Sequence, residues 1–173
     1  MDDWSGLRTA AVVVVWATVA GGLVLGSLWF VFGGGRSVGP EDETLAEQAE
    51  PDQGAGVVQS PTRRITSFST AQVGMHGLLG LITAGLLTYA AVRNSDRSTG
   101  YVTVLVAIAV TAIPAVLMFR KWKSGARPAI AGVTDAASDR RVEDRLPSPV
   151  VYLHGLAAVS TVALVVILLA VDR

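Results

Sequence analysis

The stretch that decides the fold runs from Thr70 to Val92 and reads TAQVGMHGLLGLITAGLLTYAAV. It contains no Asp, Glu, Lys or Arg and is long enough to cross about 30 Å of hydrocarbon as a helix. A membrane-spanning strand needs only about 10 residues and alternates in polarity, and this stretch does not alternate. The sequence therefore predicts a transmembrane helix here.

Three further apolar runs complete the set of predicted spans. They lie at Thr9–Phe32, Tyr101–Phe119 and Pro149–Val171, and none of them contains an Asp, Glu, Lys or Arg. The first run is too long for a cleavable signal peptide, and it follows two aspartates instead of a basic segment. We therefore predict an all-α integral membrane protein, a four-helix bundle that forms a single domain over residues 1–173.

The overall composition supports a membrane protein and excludes several classes of site. Of the 173 residues, 51% are hydrophobic and only 16% are charged, and 14 basic residues balance 14 acidic ones. A net charge of zero gives no reason to expect nucleic acid as a partner. The absence of cysteine excludes thiolate metal sites, iron–sulfur clusters and disulfides. The expected partners are the lipid bilayer and either other membrane-protein subunits or further copies of this chain.

A short motif that contains histidine occurs once in each half of the chain. Around His76 it reads MHGLLGLIT, and around His154 it reads LHGLAAVST. The shared pattern is His-Gly-Leu-x-(Gly/Ala)-(Leu/Val)-x-Thr. These histidines are also the only side chains in the four apolar runs that change charge near neutral pH. Because an ionisable group at membrane depth is costly, both are predicted to be functional.

The repeat extends upstream of each histidine to a pair of arginines, Arg63–Arg64 and Arg140–Arg141. It predicts that the bundle is made of two similar helix–loop–helix halves in the same orientation, since two spans return the chain to its starting side. The connections within the halves are predicted as loops. Residues 33–69 form an acidic, mobile loop, because the segment has few apolar residues, and residues 120–148 form a polar loop.

The basic residues predict how the protein is oriented. The two long loops contain 10 Lys and Arg residues, whereas the termini and the short turn near residues 93–100 contain 4. Since cytoplasmic loops carry the excess of basic residues, we expect the long loops in the cytoplasm and both termini outside. The 12 arginines against 2 lysines fit a G+C-rich genome, so we expect the cell (plasma) membrane of a bacterium or archaeon.

The positions of the two histidines favour a haem site. Helices 2 and 4 of an up-down bundle are diagonal and run in the same direction, so His76 and His154 are expected at the same depth. Two neutral imidazoles at one level can ligate a haem iron from opposite sides. Gly77 and Gly155, each next to a histidine, would leave room for the flat porphyrin.

Two of the upstream arginines are predicted to complete this cofactor-binding site. Haem propionates are anionic, and they seek basic side chains at the membrane surface nearest the iron. Arg64 and Arg141 precede the two histidines on that side of the membrane. We expect them to pair with the propionates of a b-type haem.

The arrangement of one histidine on each of two diagonal helices, with glycine beside it, resembles the axial-ligand layout of b-type cytochrome membrane subunits. Those subunits often carry two histidines per ligand helix and bind two haems, so this chain implies at most one haem b. The resemblance implies electron transport, or an accessory role in a respiratory membrane complex. The segment from Pro147 to Val151 is also similar to one in small, uncharacterised bacterial four-helix integral membrane proteins, which implies no activity.

Other functions stay open on the sequence. The His-Gly motifs can instead mediate helix packing in a cofactor-free structural or assembly protein, and a small oligomeric transporter is a third class. Two histidines make a poor zinc site, and Glu143 and Asp144 are the further candidate ligands in the loop. We find no nucleophile–base pair, phosphate loop or buried carboxylate pair, and so expect no independent catalytic activity.

Helix 1 carries two further signals. Gly22 and Gly26 are spaced to let another helix approach closely. Trp29, Phe30 and Phe32, near the end of the run, are typical of aromatic side chains at the membrane interface.

Overall fold

The computed structural model describes residues 5–35, 66–93, 97–124 and 142–171. It contains four long helices: α1 (Ser5–Val31), α2 (Thr70–Val92), α3 (Arg97–Ser124) and α4 (Ser148–Val171). A short 3-10 helix, Val142–Arg145, precedes α4. All four α-helices are long and apolar enough to cross a membrane, and the described residues include no strand. The prediction of an all-α, membrane-spanning four-helix bundle is confirmed.

Two helices extend beyond the charge-free runs that predicted them. α1 begins at Ser5 instead of residue 9, and α3 covers residues 97–124 instead of 101–119. The charge-free run marks the part of a helix that hydrocarbon can surround, whereas backbone hydrogen bonding continues the helix into the interface. Lys121 and Lys123 occupy the last turn of α3, where cations are favourable beside unpaired carbonyl groups. Residues 120–124, which were predicted to belong to the polar loop, are part of α3.

The helices form a ring in which sequence neighbours pack side by side. α1 packs against α2 and α4, and α3 packs against the same two helices. α2 and α4 are therefore diagonal, as predicted. A Cβ atom on Gly26 of α1 would lie 4.0 Å from Val73 of α2, and one on Gly22 would lie 3.1 Å from His154 of α4. Gly22 thus permits a close approach to α4, whereas a Cβ atom on Gly26 would make only an ordinary contact with α2.

Local signals fix where α1 ends and α2 begins. Gly33 has a φ of 99°, a left-handed conformation that glycine adopts without steric cost, and it terminates α1. A Cβ atom on Gly34 would overlap the indole ring of Trp29. At the start of α2, Ser69 and Gln72 form a reciprocal capping box, with hydrogen bonds of 3.1 Å in both directions.

The buried side chains fall into two separate clusters along the bundle axis. The first cluster, far from the long loops, consists of Ala11, Val15, Ala84, Leu87, Ala90, Tyr101, Val104, Val165 and Leu168. The second cluster, near the long loops, consists of Trp29, Phe68 and Val142. Trp29 is only 2% exposed, so its ring packs inside the bundle, whereas the neighbouring Phe30 is half exposed. The Trp29 ring closes one end of the bundle.

Candidate functional site

The two histidines of the repeated motif face each other between the diagonal helices. The ring centroids of His76 and His154 are 6.1 Å apart, and the ring planes are inclined at 89°. A direct hydrogen bond between the rings, with nitrogen atoms about 3 Å apart, would bring the centroids to about 5 Å. Two imidazoles that bind one metal ion from opposite sides, through metal–nitrogen bonds of about 2 Å, have centroids about 6 Å apart. The observed separation matches the second arrangement, and it also lies within the roughly 4.5–7 Å of an edge-to-face contact between two rings.

His154 is held by the backbone of α1. Its Nδ1 atom lies 3.0 Å from the carbonyl oxygen of Thr18. Because a carbonyl oxygen can only accept a hydrogen bond, Nδ1 carries the proton in this contact. In the neutral ring, Nε2 then presents its lone pair. Histidines that ligate metals are commonly oriented in this way, with the other ring nitrogen donating to a carbonyl or carboxylate.

Two adjacent glycines of α1 make room for this imidazole. A Cβ atom on Gly21 would lie 3.4 Å from Nδ1 of His154, and one on Gly22 would lie 3.1 Å from Cε1. Gly77 and Gly155, which the sequence placed in the site, are exposed and have open space around them. The glycines in contact with a histidine ring are therefore on α1, and the repeated motif itself does not supply them.

His76 is held less tightly than His154. The backbone of Thr111 in α3 lies beside its ring, but the buried Nδ1 atom has no hydrogen-bond partner among the described residues. Three residues beyond Thr111, α3 contains Pro114, at the place where α1 has Gly21 three residues beyond Thr18. The two histidine environments are thus related in layout and different in detail.

Paired threonines extend this relationship between the two halves of the bundle. The hydroxyl of Thr18 in α1 lies 3.5 Å from that of Thr161 in α4. The hydroxyl of Thr111 in α3 lies 3.3 Å from that of Thr83 in α2. Exchanging α1 with α3 and α2 with α4 therefore exchanges one pair for the other. The predicted similarity of the halves extends to the contacts between them.

The layer of the bundle that contains the histidines has no fully buried residue. None is found in residues 16–28 of α1, 70–82 of α2, 105–124 of α3 or 148–160 of α4. Fully buried side chains occur again at Thr83 and Thr161 on one side, and at Trp29 and its neighbours on the other. The two imidazoles therefore lie between two packed clusters.

The donor set consists of the two imidazoles. Among the described residues, no group of three or more His, Cys, Asp or Glu side chains could hold a metal ion. Glu143 and Asp144 do not join the pair. Two ligands suit a haem iron, because the porphyrin supplies the other four, and do not complete a structural zinc site. Arg64 and Arg141 lie outside the described residues.

Sequence analysis missed a second polar site, at the loop end of the bundle. Glu143 is fully buried, and its Oε1 atom accepts hydrogen bonds from two other segments of the chain. The donors are the backbone N–H groups of Ser67 at 2.9 Å and Phe68 at 3.2 Å, the indole of Trp29 at 3.4 Å, and the hydroxyl of Thr66. A Glu in a polar loop gives no sequence signal that it will be buried.

Glu143 and its hydrogen-bond donors form what we call the Glu143 cluster. It lies between the histidine layer and the long loops. It ties the residues before α2 to the 3-10 helix before α4 and to the end of α1. Lys121 of α3 adds a hydrogen bond of 3.1 Å to the carbonyl of Ser67. All four helices are thereby linked at this end.

Comparison of the chain with protein-family models, curated proteins and solved structures gave no match. Function is therefore argued from the site itself.

Proposed function

We propose that the protein binds one b-type haem between His76 and His154 and serves electron transfer, alone or as an accessory subunit of a respiratory membrane complex. The observation that carries this proposal is the 6.1 Å separation of the two facing imidazoles in a layer without buried side chains. A bound haem supplies a one-electron carrier. The chain supplies two ligands and a packed cluster on either side of them.

The protein's own residues would define the site in three ways. The backbone carbonyl of Thr18 orients the His154 ring by accepting a hydrogen bond from Nδ1–H, which would leave Nε2 as the ligand atom. The Glu143 cluster links the four helices at the loop end of the site. Arg64 and Arg141 remain the predicted partners of the propionates.

An absorption spectrum of the purified protein, oxidised and then reduced with dithionite, tests the proposal. Cells well supplied with haem should yield a Soret band, with visible bands that sharpen on reduction. His76→Ala and His154→Ala should each lose this low-spin spectrum, whereas Thr103→Ala, on the exposed surface of α3, should keep it. A featureless spectrum of the wild-type protein would overturn the proposal.

A specific contact favours a second candidate function, a cofactor-free structural or assembly protein. The hydrogen bond from His154 to the Thr18 carbonyl joins α4 to α1, so the histidine also contributes to helix packing. In that case the protein is colourless, and the same alanine variants unfold at lower temperature. Co-purification of the colourless protein from its own membrane would then identify the complex that it helps to assemble.

We further infer that the protein resides in the cell membrane of a bacterium or archaeon, with its long loops in the cytoplasm. The excess of basic residues in those loops supports this orientation. Because the chain lacks cysteine, single-cysteine variants give a clean test. A thiol reagent that does not cross membranes should label Ser95→Cys, in the short turn, in intact cells, and should label Ser60→Cys only after lysis. The reverse pattern would overturn the orientation.

A further inference from the structure

The two histidines differ in how the neighbouring helix holds them. Nδ1 of His154 lies 3.0 Å from the carbonyl oxygen of Thr18, whereas the buried Nδ1 atom of His76 has no hydrogen-bond partner among the described residues. The backbone of Thr111 lies beside the His76 ring without reaching hydrogen-bond geometry. One imidazole is therefore fixed by α1, and the other is not fixed in the same way by α3.

The close approach of α1 to His154 depends on two glycines. Gly21 and Gly22 follow Thr18 by three and four residues, so they lie on the same face of the helix. A Cβ atom on Gly21 would lie 3.4 Å from Nδ1 of the ring, and one on Gly22 would lie 3.1 Å from Cε1. Larger residues at these positions would push the ring away from the Thr18 carbonyl.

α3 carries side chains at the corresponding positions beside His76. Pro114 and Ala115 follow Thr111 by three and four residues, and both are half-buried. They add atoms where α1 has only glycine, so the backbone of α3 is less accessible to an imidazole. Proline also has no N–H group to donate to the carbonyl of Val110, which interrupts the hydrogen-bond ladder of α3 beside the ring.

This difference makes the two imidazoles unequal as ligands. A carbonyl that accepts from Nδ1–H orients a ligating imidazole and raises its basicity, and loss of such a partner typically weakens metal binding by about 10–100-fold. With the haem iron of the proposed function between the two rings, on which this inference rests, His154 forms the stronger bond. His76 is the ligand that dissociates more readily.

The charge of the surroundings selects what can replace His76. None of the four apolar runs contains an Asp, Glu, Lys or Arg, and the porphyrin already balances the charge of reduced iron. An anionic ligand would therefore be buried without a counter-charge, which is costly. A neutral diatomic molecule avoids this cost, and it is smaller than the imidazole that it replaces.

We propose that His76 is an exchangeable ligand, and that the reduced iron binds a small neutral diatomic molecule of the carbon monoxide type in its place while His154 stays bound. The bond between iron and the His76 imidazole breaks, and a bond between iron and the carbon atom of the ligand forms. No electron or proton is transferred. The protein would then bind a dissolved gas reversibly, in addition to carrying electrons.

Carbon monoxide added to the dithionite-reduced protein in detergent tests this proposal. The Soret band of the wild-type protein should shift as the ligand binds. His76→Ala should retain haem and bind carbon monoxide more tightly than wild type, because the competing imidazole is gone. His154→Ala should bind haem about 10–100-fold more weakly than His76→Ala does.

A glycine variant tests the structural cause directly. Pro114→Gly combined with Ala115→Gly gives α3 the two glycines of α1, so the His76 ring can approach the backbone. Its affinity for carbon monoxide should fall by about 10-fold or more. Ala112→Gly combined with Ile113→Gly is the matched control, because it places two glycines at exposed positions of the same helix. The control should bind carbon monoxide as wild type does, and circular dichroism checks that both variants are helical.

The possible results separate this inference from the proposed function. A wild-type protein without a Soret band overturns both. A low-spin haem that does not bind carbon monoxide overturns only the exchange at His76, and so does a greater loss of haem in His76→Ala than in His154→Ala. Equal affinity for carbon monoxide in the two glycine variants would also overturn it. If the Pro114 and Ala115 variant does not fold, the contrast between the two histidine variants decides.

Discussion

The imidazole of His76 faces that of His154 with their ring centroids 6.1 Å apart, although the two residues lie on helices that are diagonal in the bundle. Each ring is supported by a neighbouring helix, His154 by the Thr18 carbonyl and His76 by the backbone near Thr111. The pair therefore connects all four helices at one depth. Its two members are not equivalent, because only His154 has a well-formed hydrogen bond at Nδ1.

This difference predicts unequal stability losses in haem-free protein. His154→Ala removes the hydrogen bond to Thr18, and we expect it to lower the free energy of unfolding by about 1 kcal/mol more than His76→Ala does. Thermal or denaturant unfolding in detergent, followed by circular dichroism, measures both losses. The two variants serve as controls for each other, since they delete the same side chain at the same depth. A larger loss for His76→Ala would contradict the unequal roles.

Space next to His154 depends on Gly22. In Gly22→Ala, the added Cβ atom would lie 3.1 Å from Cε1 of the ring, so the imidazole must shift. We expect an overpacking cost of about 1–3 kcal/mol, together with a lower ratio of haem to protein.

Gly26→Ala is the matched control for this substitution. It makes the same change one turn further along α1, where the added atom meets Val73 at an ordinary 4.0 Å. Haem content by pyridine haemochrome and the unfolding temperature should both stay close to wild type. If Gly22→Ala behaved like Gly26→Ala in both measurements, the contact with His154 would not be tight.

The threonine pairs predict a measurable coupling between α2 and α3. The hydroxyls of Thr83 and Thr111 are 3.3 Å apart, and each lies within hydrogen-bond distance of a carbonyl of its own helix. Since a hydroxyl has one proton, one threonine donates to the other only when it releases its own helix carbonyl. A double-mutant cycle with Thr83→Val and Thr111→Val should give a coupling free energy of about 0.6 kcal/mol, as for other hydrogen bonds between membrane helices. Pairing Thr83→Val with Thr103→Val, which bonds only within α3, should give none. Coupling of similar size in both cycles would contradict the contact.

Two substitutions of Glu143 should differ in their effect on the free energy of unfolding. Glu143→Ala leaves the N–H group of Ser67 without its acceptor, and leaves Phe68 and Trp29 with only their 3.3 Å bonds to the Thr66 hydroxyl. We therefore expect a loss of about 2 kcal/mol in unfolding free energy. Glu143→Gln keeps a side-chain oxygen that can accept the same bonds, and should cost much less. Thermal unfolding measures both.

Asp144→Ala provides the control for Glu143, because its side chain is exposed. We expect it to change the free energy of unfolding by no more than about 0.5 kcal/mol. Equal destabilisation by Glu143→Gln and Glu143→Ala would show that the negative charge, and not the acceptor oxygen, stabilises this end of the bundle.

The four spans could be predicted from the sequence because a membrane-spanning helix depends on local composition. A run without charge, such as residues 70–92, can cross hydrocarbon only as a helix, whatever surrounds it. The short turn after Val92 likewise makes α2 and α3 neighbours, as observed. The sequence offered Glu143 only as a candidate metal ligand and gave no sign that Glu143 and Trp29 are buried together, since burial at a helix end depends on which other segments pack there.

By itself, therefore, the sequence determined that the chain forms four membrane-spanning helices in two related halves, with one histidine in each half. Only the tertiary structure decided that His76 and His154 face each other, that Gly21 and Gly22 of another helix contact the ring of His154, and that the surrounding layer has no fully buried residue. The physical reason is that hydrophobicity fixes how long each helix must be. Its rotation about its own axis, and hence the direction of each polar side chain, is set by contacts between helices that are distant in the sequence.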